Sequence, residues 1–261
     1  MTDATLISEI ATRLEKAEAD VKGIPPIAPE LTAGDLGSAY AIQSELTRRS
    51  LAKGRRLVGR KVGLTSEAVQ KQLGVNQPDY GALFADMEVL HDSTIAANTM
   101  IMPRIEAEIA VILKKGLPHA DCTIAELIAA VDYAVPALEI VDSRIAEWKI
   151  SILDTIADNG SSARYCLGLE PKRLTDLDLE TCGMIMTADG APVSLGSGAA
   201  CLGHPLKAAH WLVRTMAQAG SPLAAGDVIM TGALGPMYTV QGGQRIEARI
   251  GGFSPVRVAF G

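Results

Sequence analysis

The sequence predicts an α+β protein, a mainly β core with a helical annex at its N-terminus. Residues 1–56 carry apolar side chains at helical spacing, whereas residues 57–261 break into short apolar runs between Gly, Pro and Asp turns. Only two helical patterns interrupt those runs. A repeated strand–helix–strand rhythm is missing, so a doubly wound parallel sheet is not expected. A chain of 261 residues can bury one large core with the annex attached to it as one structural unit.

The annex opens with Leu6, Ile7, Ile10, Leu14 and Ala17, one face of a helix. The stretch GIPPIAPE, residues 23–30, ends that helix, and Thr32 is expected to cap a second one through Tyr40, Leu46 and Leu51 to about Gly54. Strands are expected over residues 56–64, 102–113, 133–142, 180–193, 226–234, 237–240, 244–252 and 255–260. Thr123 and Glu126 form a capping box that starts a short helix to about Ala130. Pro205 and Gly220 bracket another helix. Residues 75–87 and 157–168 read as loops.

Composition removes several function classes. A net charge of −6 argues against a nucleic-acid surface, and the basic cluster Arg48, Arg49, Lys53, Arg55 and Arg56 falls at a helix end, where it complements the dipole. No apolar run approaches the roughly 18 residues of a membrane span, and the N-terminus lacks a signal-peptide core, so a cytoplasmic location is expected. Four cysteines stand far apart without a CxxC pair. The glycine-rich LGSGAACLGHP lacks a phosphate-loop lysine, and His204 and His210 suit core or capping roles.

One pattern carries chemistry. On a strand, Ile105, Ala107, Ile109, Val111 and Leu113 line one face, and Glu106 and Glu108 share the other, roughly 6–7 Å apart. Glu139 is the only charge in the apolar run before Asp142, so its strand is expected to be buried. A buried carboxylate needs a cation. Either a lysine or an arginine, such as Arg104 or Arg144, supplies it, or a metal ion shared with Glu106 and Glu108 does. An all-carboxylate set without His or Cys suits Mg²⁺ or Mn²⁺. Lys61 stands among glycines in GRKVGLTS, and Asp79 sits between Pro78 and Tyr80; each is either a surface or turn residue or an acid–base group.

Read together, GRKVGLT, VNQPDYG, PRIEAEIA, PALEIVDSRI, DTIADN, CLGHP and MTGALGPM resemble the 2-oxopent-4-enoate hydratase family, within the fumarylacetoacetase-like superfamily. The resemblance spans about the whole chain. It implies a mixed β-roll or β-sandwich core and a divalent metal, Mg²⁺ or Mn²⁺, on Glu106, Glu108 and Glu139. It also implies acid–base or substrate-orienting roles for Lys61 and Asp79, and a substrate-facing Ser161. The implied reaction adds water to 2-hydroxypenta-2,4-dienoate, giving 4-hydroxy-2-oxopentanoate in meta-cleavage degradation of aromatic compounds. A homo-oligomer is implied, with association with a decarboxylase or aldolase of the same pathway conceivable. The chain departs from the family's ADNAS-Cys-Gly loop, reading Asn159-Gly160-Ser161-Ser162-Ala163-Arg164. Ser162 and Arg164 resemble the sister 2-oxo-3-hexenedioate (4-oxalocrotonate) decarboxylases, and Arg164 is a candidate partner for a second substrate carboxylate. That decarboxylase, a hydratase of a longer dioate, and an inactive assembly partner are the alternatives.

Overall fold

The computed structural model describes residues 3–66, 70 and 75–261. Five α-helices and twelve strands are bounded among them, with short 3-10 turns between. Helix α1 (Ala4–Ala19) is capped by Asp3 and buries Ile10, Leu14 and Ala17. Helix α2 (Leu36–Ala52) follows, then α3 (Ile124–Ala130), α4 (Ile152–Ala157) and α5 (Pro205–Gln218). The expected cap of α2 is corrected. Thr32 belongs to a turn, its carbonyl accepting the Asp35 N–H, and Asp35 caps the helix by accepting from the Ser38 N–H at 3.1 Å. The capping box of Thr123 and Glu126 forms as expected, and His204 caps α5.

Helix α4 lies in a stretch to which the sequence pattern assigns no element. Six residues give too short an apolar period to stand out, although Ser151 and Asp154 form a reciprocal cap. It completes the helical core: Leu153 and Ile156 pack with Ile10, Leu14, Ile27, Ile42 and Ile145. Around this annex the basic cluster pairs internally, Arg49 and Lys53 with Glu15, and Arg55 with Asp86.

The strands are β1 (Leu57–Gly63), β2 (Asp79–Phe84), β3 (Thr94–Ile95), β4 (Arg104–Leu113), β5 (Val131–Val141), β6 (Ser162–Leu167), β7 (Gly183–Ala188), β8 (Ala191–Ser197), β9 (Val228–Ala233), β10 (Tyr238–Thr239), β11 (Arg245–Ile250) and β12 (Val256–Phe260). One sheet runs β2-β1-β9-β4-β5-β6, with β10 beside β4; the other runs β3-β12-β11-β7-β8. Both are mixed, with β1 parallel to β9 and β12 parallel to β3. The main core joins the sheets and α5: Ile105, Ile109 and Leu138 from the first, Met186, Ile246 and Val258 from the second, Leu212 from the helix.

Residues 75–87 and 157–168 are not simply loops, because they contain β2 and β6. These are the two edges of the larger sheet. Their polar and glycine residues (Asp79, Gly81, Ser162, Arg164) masked the pattern of a strand. The sheet curls until those edges nearly meet: the Val89 N–H donates to the Tyr165 carbonyl at 2.8 Å, and Asn159 bonds to Ala82. A second apolar cluster fills the concave side, with Ala82, Phe84, Ala110, Ile112, Ala137, Tyr165 and Met230. No helix among the described residues is long and apolar enough to cross a membrane.

Candidate metal and acid–base site

Both faces of β4 are covered, so its glutamates are not on a solvated face. Glu108 is fully buried, as is Glu139, while Glu106 is half-buried. The ladder between β4 and β5 sets Glu106 directly opposite Glu139 and Glu108 opposite Ala137. Directly opposed like charges destabilise a sheet. Carboxylate oxygens of Glu106, Glu108 and Glu139 nevertheless lie within 4.8 Å of one another. Glu108 accepts one bond, from the Gly232 N–H at 2.8 Å, and its other oxygen and both oxygens of Glu139 have no hydrogen-bond partner.

The arginines suggested for Glu139 go elsewhere. Arg144 pairs with Asp158, and Arg104 stacks over Trp148 at 4.3 Å. The cation beside Glu139 is Lys61, with Nζ 3.4 Å from Oε1. Lys61 is buried on β1, and Gly160 gives it room: a Cβ there would stand 2.7 Å from the lysine Cε. Asp79, at the start of β2, pairs in register with Gly63. A side chain at Gly63 would collide with the Asp79 carboxylate at 2.1 Å and stand 3.2 Å from Lys61 Nζ. Both charged groups therefore crowd one point that only a glycine leaves open. Asp79 is buried, and neither of its oxygens has a hydrogen-bond partner of good geometry.

Four carboxylates thus face one ammonium. Burial, then the charges of Glu139 and Asp79, pushes the Glu106 carboxyl up to about 7. Burial first, then Glu139 and Glu106, pushes Glu108 well above the usual carboxylate range. Asp79 is raised by burial, partly offset by Lys61. Burial works against the Lys61 ammonium, but the carboxylates, Glu139 foremost, outweigh it and hold its pKa above the ordinary value. Without a further cation this cluster stores repulsion. Unpartnered carboxylate oxygens with no nitrogen or sulfur donor fit a hard divalent ion, which Glu106, Glu108 and Glu139 could hold.

A cleft of about 370 Å³ opens at Glu106 and is lined by Val62, Thr65, Leu195, Leu234 and Met237. Ser161 is buried beside Gly160 and donates a long bond, 3.4 Å, to Asp158. Ser162 and Arg164 are not brought to the cleft. They line a separate cavity with Lys53, Arg55 and Asp86, where Arg164 donates to the neighbouring Ala163 carbonyl. Two contributions escaped sequence reasoning. Gly232, with φ of +108°, supplies the N–H for Glu108, while Thr65 occupies the space a side chain would need, 2.4 Å away. The glycine in the MTGALGPM motif was the available signal for it. Helix α2 brings Tyr40 and Gln43 against β2, for which the sequence offers no signal.

Residues 58–260 match the fumarylacetoacetate hydrolase C-terminal family. The chain belongs to that family. Within it, the chain is 51% identical to 2-keto-4-pentenoate hydratase 1 of Dechloromonas aromatica (strain RCB), covering 100% of both chains. It is 40% identical to a 4-oxalocrotonate decarboxylase of Pseudomonas putida, over 96% of this chain and 95% of that one. Among solved structures, the 4-oxalocrotonate decarboxylase from Pseudomonas putida G7, complexed with magnesium and adipate, superposes with a TM-score of 0.95 at 36% identity, covering 100% of this chain and 98% of that chain. The family match covers the curled mixed sheets, and the superposition on the decarboxylase takes in the helices ahead of them as well.

Proposed function

We propose that the protein is a metal-dependent hydratase that converts 2-hydroxypenta-2,4-dienoate into 4-hydroxy-2-oxopentanoate. The observation that carries this reading is the carboxylate trio beside Lys61 and Asp79, with Glu108 and Glu139 fully buried and keeping unpartnered oxygens. The 51% identity over the full length of a 2-keto-4-pentenoate hydratase supports the reaction, and the magnesium complex of the decarboxylase supports the ion. Glu106, Glu108 and Glu139 would hold Mg²⁺ or Mn²⁺. That ion, when bound, would supply a Lewis acid for the substrate's carboxylate and 2-oxygen.

The chain's own residues do the rest. Lys61 keeps a positive charge beside the site and orients the anionic substrate. Asp79 and Lys61, crowded at Gly63, exchange protons with the substrate. The 2-hydroxyl loses a proton and C5 gains one, which turns the dienol into a 2-oxo-3-enoate. Water then adds at C4 as a proton reaches C3. The apolar cleft walls of Val62, Leu195, Leu234 and Met237 suit the uncharged tail of this substrate. Arg164, the candidate for a second carboxylate, lines another cavity, which favours the hydratase over the dioate decarboxylase.

The finer setting of this reading is aromatic meta-cleavage catabolism in a reducing cytoplasm, in line with four free buried cysteines. A homo-oligomer is supported by an apolar groove between Leu90, Tyr133 and Leu169, the two leucines 71% and 73% exposed. Association with a pathway decarboxylase or aldolase belongs to the same reading.

The deciding experiment supplies 2-hydroxypenta-2,4-dienoate and 2-oxo-3-hexenedioate separately, with and without Mg²⁺ or Mn²⁺. The expected outcome is metal-dependent loss of dienoate absorbance with formation of the hydroxylated product. Release of CO₂ from the hexenedioate, without hydration of the dienoate, would overturn the reading.

A further inference from the structure

The strand that begins with Asp79 is an edge strand, and its outward backbone groups need partners. No other strand supplies them among the described residues; side chains do. Asn159 accepts from the Ala82 N–H at 2.7 Å and donates to the Ala82 carbonyl at 3.0 Å. One step nearer Asp79, the Gln43 amide from α2 donates to the Tyr80 carbonyl at 2.8 Å. Its second N–H goes to the Ile156 carbonyl at 2.9 Å, one of the orphan acceptors at the end of α4. Gln43 is 5% exposed, so neither carbonyl has water as an easy substitute. One turn of α2 earlier, Tyr40 stacks on Tyr80 with ring centroids 4.5 Å apart and planes 15° apart.

We propose that Gln43 is a positioning residue: through Tyr80 and Ile156 it sets the Asp79 carboxylate against Lys61 and fixes the Asn159–Ser161 turn that backs onto that lysine. The inference rests on the hydratase reading for its kinetic consequence alone. The annex is then part of the reacting geometry, since α2 serves β2 as a substitute strand. The metal-ligand trio stands on β4 and β5, outside this clamp, so the clamp acts on proton transfer and leaves ion binding alone.

Gln43→Met keeps the volume and removes both donors. In the Mg²⁺-loaded full chain, amide hydrogen exchange is expected to quicken in residues 79–84 and 156–162 and to stay unchanged in β4 and β5. The kcat for the dienoate is expected to fall on the order of 10- to 100-fold, with KM and Mg²⁺ affinity within about twofold of wild type. Gln43→Glu supplies a readout that mere loss of packing would not move. Its carboxylate faces two carbonyls at neutral pH, but its protonated acid can donate one bond. Its kcat relative to wild type is therefore expected to rise as pH falls, while that of Gln43→Met stays level. Wild-type exchange and kinetics in Gln43→Met would overturn the proposal. So would a general rise in exchange with loss of Mg²⁺ binding, which would make Gln43 a residue of the fold alone. If the wild-type protein does not hydrate the dienoate, the functional reading fails. The exchange pattern then decides the positioning by itself: a local rise supports it, and no local rise overturns it.

Discussion

Two buried charged clusters stand about β5 and β6, and they are built in opposite ways. Arg144 bonds to Asp158, to the carbonyls of Asp142 and Ser162, and to the Asp158 carbonyl. Asp158 in turn accepts from Ser143, Ser161 and the Arg144 N–H. Neither Arg144 nor Asp158 has a buried side-chain atom left without a partner, although the Ser162 hydroxyl beside them has none. Across the ladder, Glu108, Glu139 and Asp79 keep five buried oxygens without hydrogen bonds, and Glu106 opposes Glu139 directly. A fully satisfied network rigidifies a fold, whereas an unsatisfied one costs stability unless a ligand completes it. Completion by an ion is the use we assign to the second.

Substitutions should therefore have opposite signatures in the two clusters. Glu106→Gln is expected to lower kcat/KM by roughly 10³-fold or more, the loss of several kcal/mol of transition-state stabilisation. The same change relieves an opposed pair of carboxylates, so thermal unfolding of the metal-free protein should occur at the wild-type temperature or above. A large drop in melting temperature would place Glu106 with the structural cluster instead. Lys61→Met and Asp79→Asn are expected to cost roughly 10²- to 10⁴-fold in kcat while Mg²⁺ still binds, as single-turnover kinetics and calorimetry would establish. Asp158→Asn reverses the pattern. It leaves Arg144 buried without its charge partner, and about 3–5 kcal/mol of stability should be lost, read as a lower denaturation midpoint.

Acidity sharpens the contrast further. The Glu106 carboxyl is raised to about 7 in the folded protein, and Glu108 is raised as well. The folded state thus holds protons that the unfolded state has released. The metal-free protein should lose stability as pH rises from the ordinary carboxylate range through about 7. Ion affinity should rise over the same interval, because each ion displaces protons. A melting temperature that climbs with pH in chelator would contradict this. The smallest effect belongs to Arg164→Ala: kcat/KM for the dienoate should stay within about twofold of wild type. A large loss in steady-state assays would return Arg164 to the substrate.

Much of this was legible in the sequence, and the gaps have physical reasons. The strands holding the trio stood out because Ile105, Ile109, Leu138 and Ile140 make apolar runs that charges interrupt only at Glu106, Glu108 and Glu139. The opposition of Glu106 and Glu139 depends on ladder register, which no local pattern encodes. The edge strands β2 and β6 look like loops in the sequence because Asp79, Gly81, Ser162 and Arg164 break the apolar alternation. Gln43 reaches Tyr80 across 37 positions of chain, and such a contact leaves no periodic trace. Arg164 looked like a carboxylate partner by its place in a motif, yet its cavity lies apart from the cleft at Glu106.

Calorimetric titration of the metal-stripped protein with Mn²⁺ tests the central claim most directly, run at two pH values and repeated on Glu139→Gln. The wild type is expected to bind one ion per chain, with more protons released at pH 6 than at pH 8, and binding is expected to weaken by orders of magnitude in the variant. Saturable binding of equal strength in both proteins, or none in the wild type, would contradict it.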